Sequence, residues 1–173
     1  KGFFDQPLGL VISEYDRRNN TSLGQGSVDS SHIAALHKLG YLPIHIKALP
    51  EGSLVPTKVP MMTITNTHPD FGWLPNYLET ALSAELWKSC TTATTAYEYR
   101  KLIQSYANKT GSPLDFVLWQ GHDFSLRGLS GLHDASSAAG HLLSFLGTDT
   151  IPAIDYLERY YNARDSFVGG SVP

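Results

Sequence analysis

The chain has 173 residues, 42% of them hydrophobic and 17% charged, and a formal net charge of −3. That is a globular composition without a disorder signature, and it holds enough apolar material for one sizeable domain, or one and part of a second. The small negative charge gives no bulk pull toward nucleic acid or an anionic bilayer, and no run of about 18 apolar residues is present to span a membrane. The single cysteine, Cys90, leaves no internal disulfide and fits a reducing cytoplasm.

In chain order, Leu8-Gly9-Leu10-Val11-Ile12 reads as a strand and the polar stretch from Arg17 to Gly26 as a loop. Asp29 or Ser30 can cap a helix that reaches Lys38, with Ile33, Leu36 and Leu39 on one face and Gly40 as its stop. Residues 43–48 alternate apolar and polar, as a half-buried strand does. Pro50-Glu51-Gly52-Ser53 is a turn, and residues 61–65 form another strand rich in β-formers. Asn66-Thr67-His68-Pro69-Asp70 reads as a capped turn into the next helix. Two amphipathic helices are expected over 73–87 and 93–107, with Pro75 tolerated in the opening turn of the first.

Lys109-Thr110-Gly111-Ser112-Pro113 reads as a domain boundary. It separates a mixed α/β segment, 1–111, from a region of βα rhythm, 112–173. Both chain ends, a lysine near an ordered run and Gly169-Gly170-Ser171-Val172-Pro173, lead us to expect a fragment. In the second region Phe116-Val117-Leu118-Trp119 is expected as a strand running into His122-Asp123-Phe124-Ser125-Leu126-Arg127-Gly128. Leu142-Leu143-Ser144-Phe145 is expected to run in the same way into Gly147-Thr148-Asp149-Thr150. Strand, polar loop and helix in repetition indicate parallel strands, whose carboxyl ends are where such folds carry chemistry.

Composition alone favours a buried Phe124 and a surface Arg127. The functional alternative is a ring stacked on a flat ligand with a guanidinium at its polar edge. Asp149 has two readings, a cap for the helix near Ile151 or a carboxylate facing the same pocket as Phe124 and Arg127. The seven histidines fall at no zinc spacing, and His122 is expected to bond backbone. No serine elbow, Walker loop or GxGxxG occurs.

Together these motifs resemble the nicotinamide phosphoribosyltransferase family, especially its bacterial and phage-type members. The resemblance rests on Leu49-Pro50-Glu51-Gly52, residues 66–70 with Trp73, Asn76-Tyr77-Leu78-Glu79-Thr80, Thr94, Glu98, the loops at 122–128 and 147–150, and Ser171-Val172-Pro173. It runs in order from about Gly40 to the end and is less clear before that. It implies an α/β fold in which 112–173 are the first βα units of an irregular type II phosphoribosyltransferase barrel, incomplete here.

The implied activity is transfer of phosphoribosyl from phosphoribosyl pyrophosphate to nicotinamide, giving nicotinamide mononucleotide in NAD salvage. Magnesium would accompany the pyrophosphate, and ATP coupling would belong to the full-length enzyme. On this resemblance Phe124 stacks on the pyridine ring, Arg127 contacts the carboxamide side, Asp149 accepts from the amide nitrogen and Ser171 lies near the pocket's tunnel. A cytoplasmic homodimer with a shared active site is implied too. The catalytic histidine and phosphate loop are expected outside these residues, so the isolated chain is expected to be inactive. Nicotinate phosphoribosyltransferase and a non-catalytic protein of the same fold are the alternatives. Asp149 favours amide over acid, because a charge-assisted hydrogen bond of ~1.5–3 kcal/mol is replaced by like-charge repulsion when the ligand is nicotinate.

Overall fold

The computed structural model describes residues 2–165 and 169–170. The chain divides into two compact units, Lys1–Glu79 and Thr80–Pro173.

In the first unit, α1 (Leu8–Leu23) stands where a strand at 8–12 and a loop at 17–26 were expected. The spacing of the apolar residues explains the correction. Leu8, Val11, Ile12 and Tyr15 recur at helical intervals and are half-buried, whereas Leu10 is exposed. Glu14 pairs with Arg17 at 2.7 Å and Arg18 at 3.2 Å, one turn on. The next helix, α2 (Ser31–Leu39), ends as expected on Gly40, whose φ of 82° lets its N–H bond the Leu36 carbonyl at 3.3 Å. The two expected strands are present as β1 (Ile44–Ala48) and β2 (Met62–Asn66), antiparallel, with Ile44 opposite Asn66 and Ala48 opposite Met62. A 3-10 turn, Pro69–Phe71, comes after the second strand, and His68 Nδ1 accepts from the Asp70 N–H at 3.3 Å at its start. Leu36, Phe71 and Leu74 form the core, with Phe3, Phe4 and Trp73 packed against it.

A single 37-residue helix, α3 (Leu74–Thr110), runs where two were expected, with Pro75 in its first turn. The break anticipated near the threonines does not occur. The hydroxyls of Thr91 and Thr94 donate to the carbonyls of Trp87 and Cys90 at 2.8 and 2.7 Å, so these weak helix formers are satisfied within the helix. In the second unit Lys88 Nζ also meets Asp134 at 2.5 Å, and Ser89 Oγ donates to the Ser136 carbonyl at 3.0 Å. Tertiary contact thus outweighs local propensity.

The second unit continues with α4 (Val117–Gln120), β3 (His122–Asp123), α5 (Ala135–Ala139), β4 (Gly147–Thr148) and α6 (Ile151–Tyr161). Neither apolar run read as a strand is one: residues 116–119 lie in a turn and α4, and Gly140–Leu143 is a 3-10 turn. Their backbones are satisfied locally. Val117 and Trp119 N–H groups bond the carbonyls of Leu114 and Phe116, and those of Ser144 and Phe145 both bond that of His141.

The strands begin a few residues later and pair in parallel, His122 opposite Gly147 and Asp123 opposite Thr148. Gly170 extends the arrangement on the other side through a parallel bridge to Gly147. Ala138, Ala139 and Ala153 make a small-residue core between α5 and α6. The architecture is mixed α/β and mostly helical, with two two-stranded sheets and no barrel among the described residues. No helix of the described residues is long and apolar enough to cross a membrane.

Candidate functional site

Parallel pairing sets the geometry of the site. Along a strand alternate residues face the same side, so a register of His122 with Gly147 puts His122, Phe124, Gly147 and Asp149 on one face. Asp123 and Thr148 face the other way. The observed contacts obey this rule. Thr148 Oγ1 donates to Asp123 Oδ2 at 3.2 Å on the second face. On the first, His122 Nε2 meets Asp149 Oδ1 at 3.1 Å, and the imidazole lies 4.4 Å from the Phe124 ring with 37° between the planes.

Backbone bonds hold the two loops at the same level. The Asp149 N–H donates to the Asp123 carbonyl at 2.8 Å, and the Ser125 N–H to Asp123 Oδ1 at 3.2 Å. On the other side of β4, the Thr148 N–H donates to the Gly170 carbonyl at 3.0 Å. Thr148 and Thr150 are fully buried, so the acidic loop grows from a rigid base. Ser125 Oγ and Thr150 Oγ1, one on each loop, are buried without a hydrogen-bond partner among the described residues.

Phe124 is 63% exposed, which corrects the expectation of a buried ring at a strand end. Arg127 sits exposed on the 3-10 turn Ser125–Gly128, just past it in the chain. The N-cap of α6 is Thr150, without a capping bond, and the Asp149 carboxylate meets His122. The structure therefore brings Phe124 and Asp149 together around His122, with Arg127 exposed on the turn that follows Phe124. Ser171 lies outside the described residues.

His122 is the residue that the sequence reading undervalued, since its partner is a side chain and not backbone. No local signal marks it, because the contact depends on the register that sets His122 opposite Gly147. Beside this face a cleft of about 420 Å³ opens between α3 and the β3 segment, lined by Thr91, Thr95, Tyr99, Gly121, His122 and Asp123 among others. Phe124, Arg127 and Asp149 do not line it, so His122 is the residue common to the cleft and the Phe124–Asp149 pair.

His141 lies behind the site, its Nε2 3.1 Å from the Gly147 carbonyl and its ring stacked on Phe145 at 5.1 Å. Burial pushes its pKa below the ordinary histidine value of 6.5, against the opposing pull of Asp123 and of hydrogen bonds to the Gly147 and Gly121 carbonyls; nearby His122 lowers it further. On the far side, the Lys88 ammonium holds the Asp134 carboxyl below its usual range, helped by the Ser130 N–H. Among the described residues no group of three or more His, Cys, Asp or Glu could hold a metal ion.

Curated relatives match this chain by sequence. The nicotinamide phosphoribosyltransferase of Acinetobacter baylyi is 59% identical over 174 aligned positions, which include all of this chain and 34% of that protein. The chain is homologous to part of a nicotinamide phosphoribosyltransferase. The proteins of the same name from Xanthomonas campestris pv. campestris and Mycoplasma pneumoniae are 38% and 39% identical over 136 and 114 residues, or 78% and 64% of this chain. The matched stretch spans between a quarter and about a third of the length of these curated relatives, at 34%, 28% and 25%. No protein-family model matches it.

Proposed function

We propose that this chain carries the nicotinamide-binding part of a nicotinamide phosphoribosyltransferase, which makes nicotinamide mononucleotide and pyrophosphate from nicotinamide and phosphoribosyl pyrophosphate. The observation that supports the reading is that Phe124 and Asp149 each follow directly on the carboxyl end of one of two adjacent parallel strands, and both contact His122, in a chain whose full length matches part of an enzyme of that name. The exposed Phe124 ring offers a face on which a pyridine ring stacks, worth ~0.5–1.5 kcal/mol beyond the area buried. Asp149 accepts the carboxamide N–H. Arg127 meets the carboxamide side, where its planar fork suits directional bonds, and for Ser171 only the resemblance implies a place near the pocket's tunnel.

Residues 112–173 then correspond to the opening βα units of a type II phosphoribosyltransferase barrel that closes with other parts of the enzyme. The complete protein works as a cytoplasmic homodimer with its site shared between subunits, and ATP coupling belongs to it. Magnesium would enter with the pyrophosphate. The described residues supply no donor set for it, and the steps assigned to this chain are binding and orienting the base. Displacement at the anomeric carbon needs the base nitrogen held in line with the leaving group, and Phe124 with Asp149 supplies that alignment from the base side.

The test is steady-state selectivity in the complete reading frame that carries these residues. Asp149→Ala is expected to narrow the preference for nicotinamide over nicotinate by about tenfold or more, and unchanged selectivity refutes the reading. The isolated 173-residue chain is expected to form no mononucleotide above a Phe124→Ala control.

A further inference from the structure

We propose that His122 is a positioning residue for amide recognition, holding the Asp149 carboxylate and the Phe124 ring in the arrangement that distinguishes a carboxamide from a carboxylate. This rests on the nicotinamide reading and assigns a residue that the reading leaves without a role.

Three observations converge on it. His122 Nε2 is 3.1 Å from Asp149 Oδ1, and a carboxylate only accepts, so the imidazole donates from Nε2. Its ring is 4.4 Å from that of Phe124, so one side chain touches both groups that would contact the ligand. Its other edge rests on backbone: a Cβ at Gly147 would lie 2.5 Å from Nδ1. With 14% of its side chain exposed, the imidazole is clamped between Gly147 and the two functional side chains.

A carboxylate held by a fixed donor keeps one orientation and loses little freedom when it meets an amide. Without that donor the carboxylate loses one of the contacts that fix it, and more of its ordering falls to the ligand. The loss of His122 therefore weakens ground-state binding of nicotinamide more than it slows the reacting step.

The experiment compares nicotinamide and nicotinate kinetics of the complete reading frame with His122→Phe, His122→Gln, Gly147→Ala and Asp149→Ala. Phenylalanine keeps a ring against Phe124 but cannot donate. It is expected to raise KM for nicotinamide about tenfold, with kcat within about twofold, and to lower amide-over-acid selectivity by a similar factor, the equivalent of about 1.4 kcal/mol. Glutamine can donate from Nε2 and is expected to restore most of that loss. Gly147→Ala keeps the histidine but displaces it, and should behave like His122→Phe.

Unchanged KM and selectivity in His122→Phe overturn the proposal, as does a His122→Gln protein as impaired as the phenylalanine one. Should His122→Phe fail to fold, Gly147→Ala and His122→Gln decide: normal selectivity in the first, or tenfold loss in the second, overturns it. Asp149→Ala separates the two levels. If that variant keeps normal selectivity, the nicotinamide reading fails and this proposal with it. If it loses selectivity while His122→Phe does not, only the role of His122 falls.

Discussion

The two units of the chain are packed by different means. Up to Glu79 the core is made of large side chains, with Leu36, Phe71 and Leu74 surrounded by Phe3, Phe4 and Trp73. From Thr80 onward small residues make up more of it, around the buried Phe145 and Val117. Ala138, Ala139 and Ala153 are buried together, and Gly121, Gly140 and Gly147 each lie against an atom that a Cβ would strike within 2.7 Å. Interlocking rings tolerate a change of shape better than a change of volume. Close backbone approach tolerates neither, but it fixes distances between elements, which is what two strand ends need to present atoms to one ligand. The second unit has traded adaptability for placement.

The largest expected effect tests the first half of that contrast. Phe71→Ala should lower stability by ~3–5 kcal/mol, read from urea unfolding, while Phe71→Leu should cost less than about 1.5 kcal/mol. Gly140→Ala comes next. Its Cβ would sit 2.7 Å from the Ser89 carbonyl and 3.0 Å from the Ala93 nitrogen, both backbone atoms that cannot turn aside, so ~1–3 kcal/mol of destabilisation is expected from one carbon. A neutral Gly140→Ala would break the contrast outright.

A smaller effect belongs to the ion pair that fastens α3 to the turn before α5. Lys88→Met should cost about 0–1 kcal/mol, and the loss should shrink in high salt, because Lys88 is 37% exposed. The smallest is a pH slope. Folding depresses the His141 pKa, so the unfolded chain binds more protons near and below pH 6.5. Stability from this group is complete above that value and declines as pH falls through it toward the folded pKa. His141→Gln should flatten that part of the profile, as measured by unfolding midpoints between about pH 5 and 8.

The same contrast accounts for what was legible in the sequence. In the first unit α2, β1 and β2 could be read because alternation, a helical stripe and Gly40 are local signals. The region of α1 misled because its β-branched pair, Val11 and Ile12, sits inside a helical stripe that extends to Tyr15 and becomes visible only over the whole helix. In the second unit the order of strand and helix was readable but the strands were not. The apolar runs at 116–119 and 142–145 are satisfied as turns, and the residues that pair are His122, Asp123, Gly147 and Thr148, which carry almost no strand signature. Phe124 and Asp149 could be picked out by residue type and by resemblance. Their link through His122 could not, because it depends on a register that no local pattern encodes.

The imidazole resting on Gly147 has a consequence for lineages of this protein. Positions 122 and 147 are coupled: a side chain gained at 147 displaces the histidine from its place, and loss of the histidine releases 147 to drift. Collected homologues should therefore show the two sites covarying, with glycine favoured at 147 wherever histidine stands at 122.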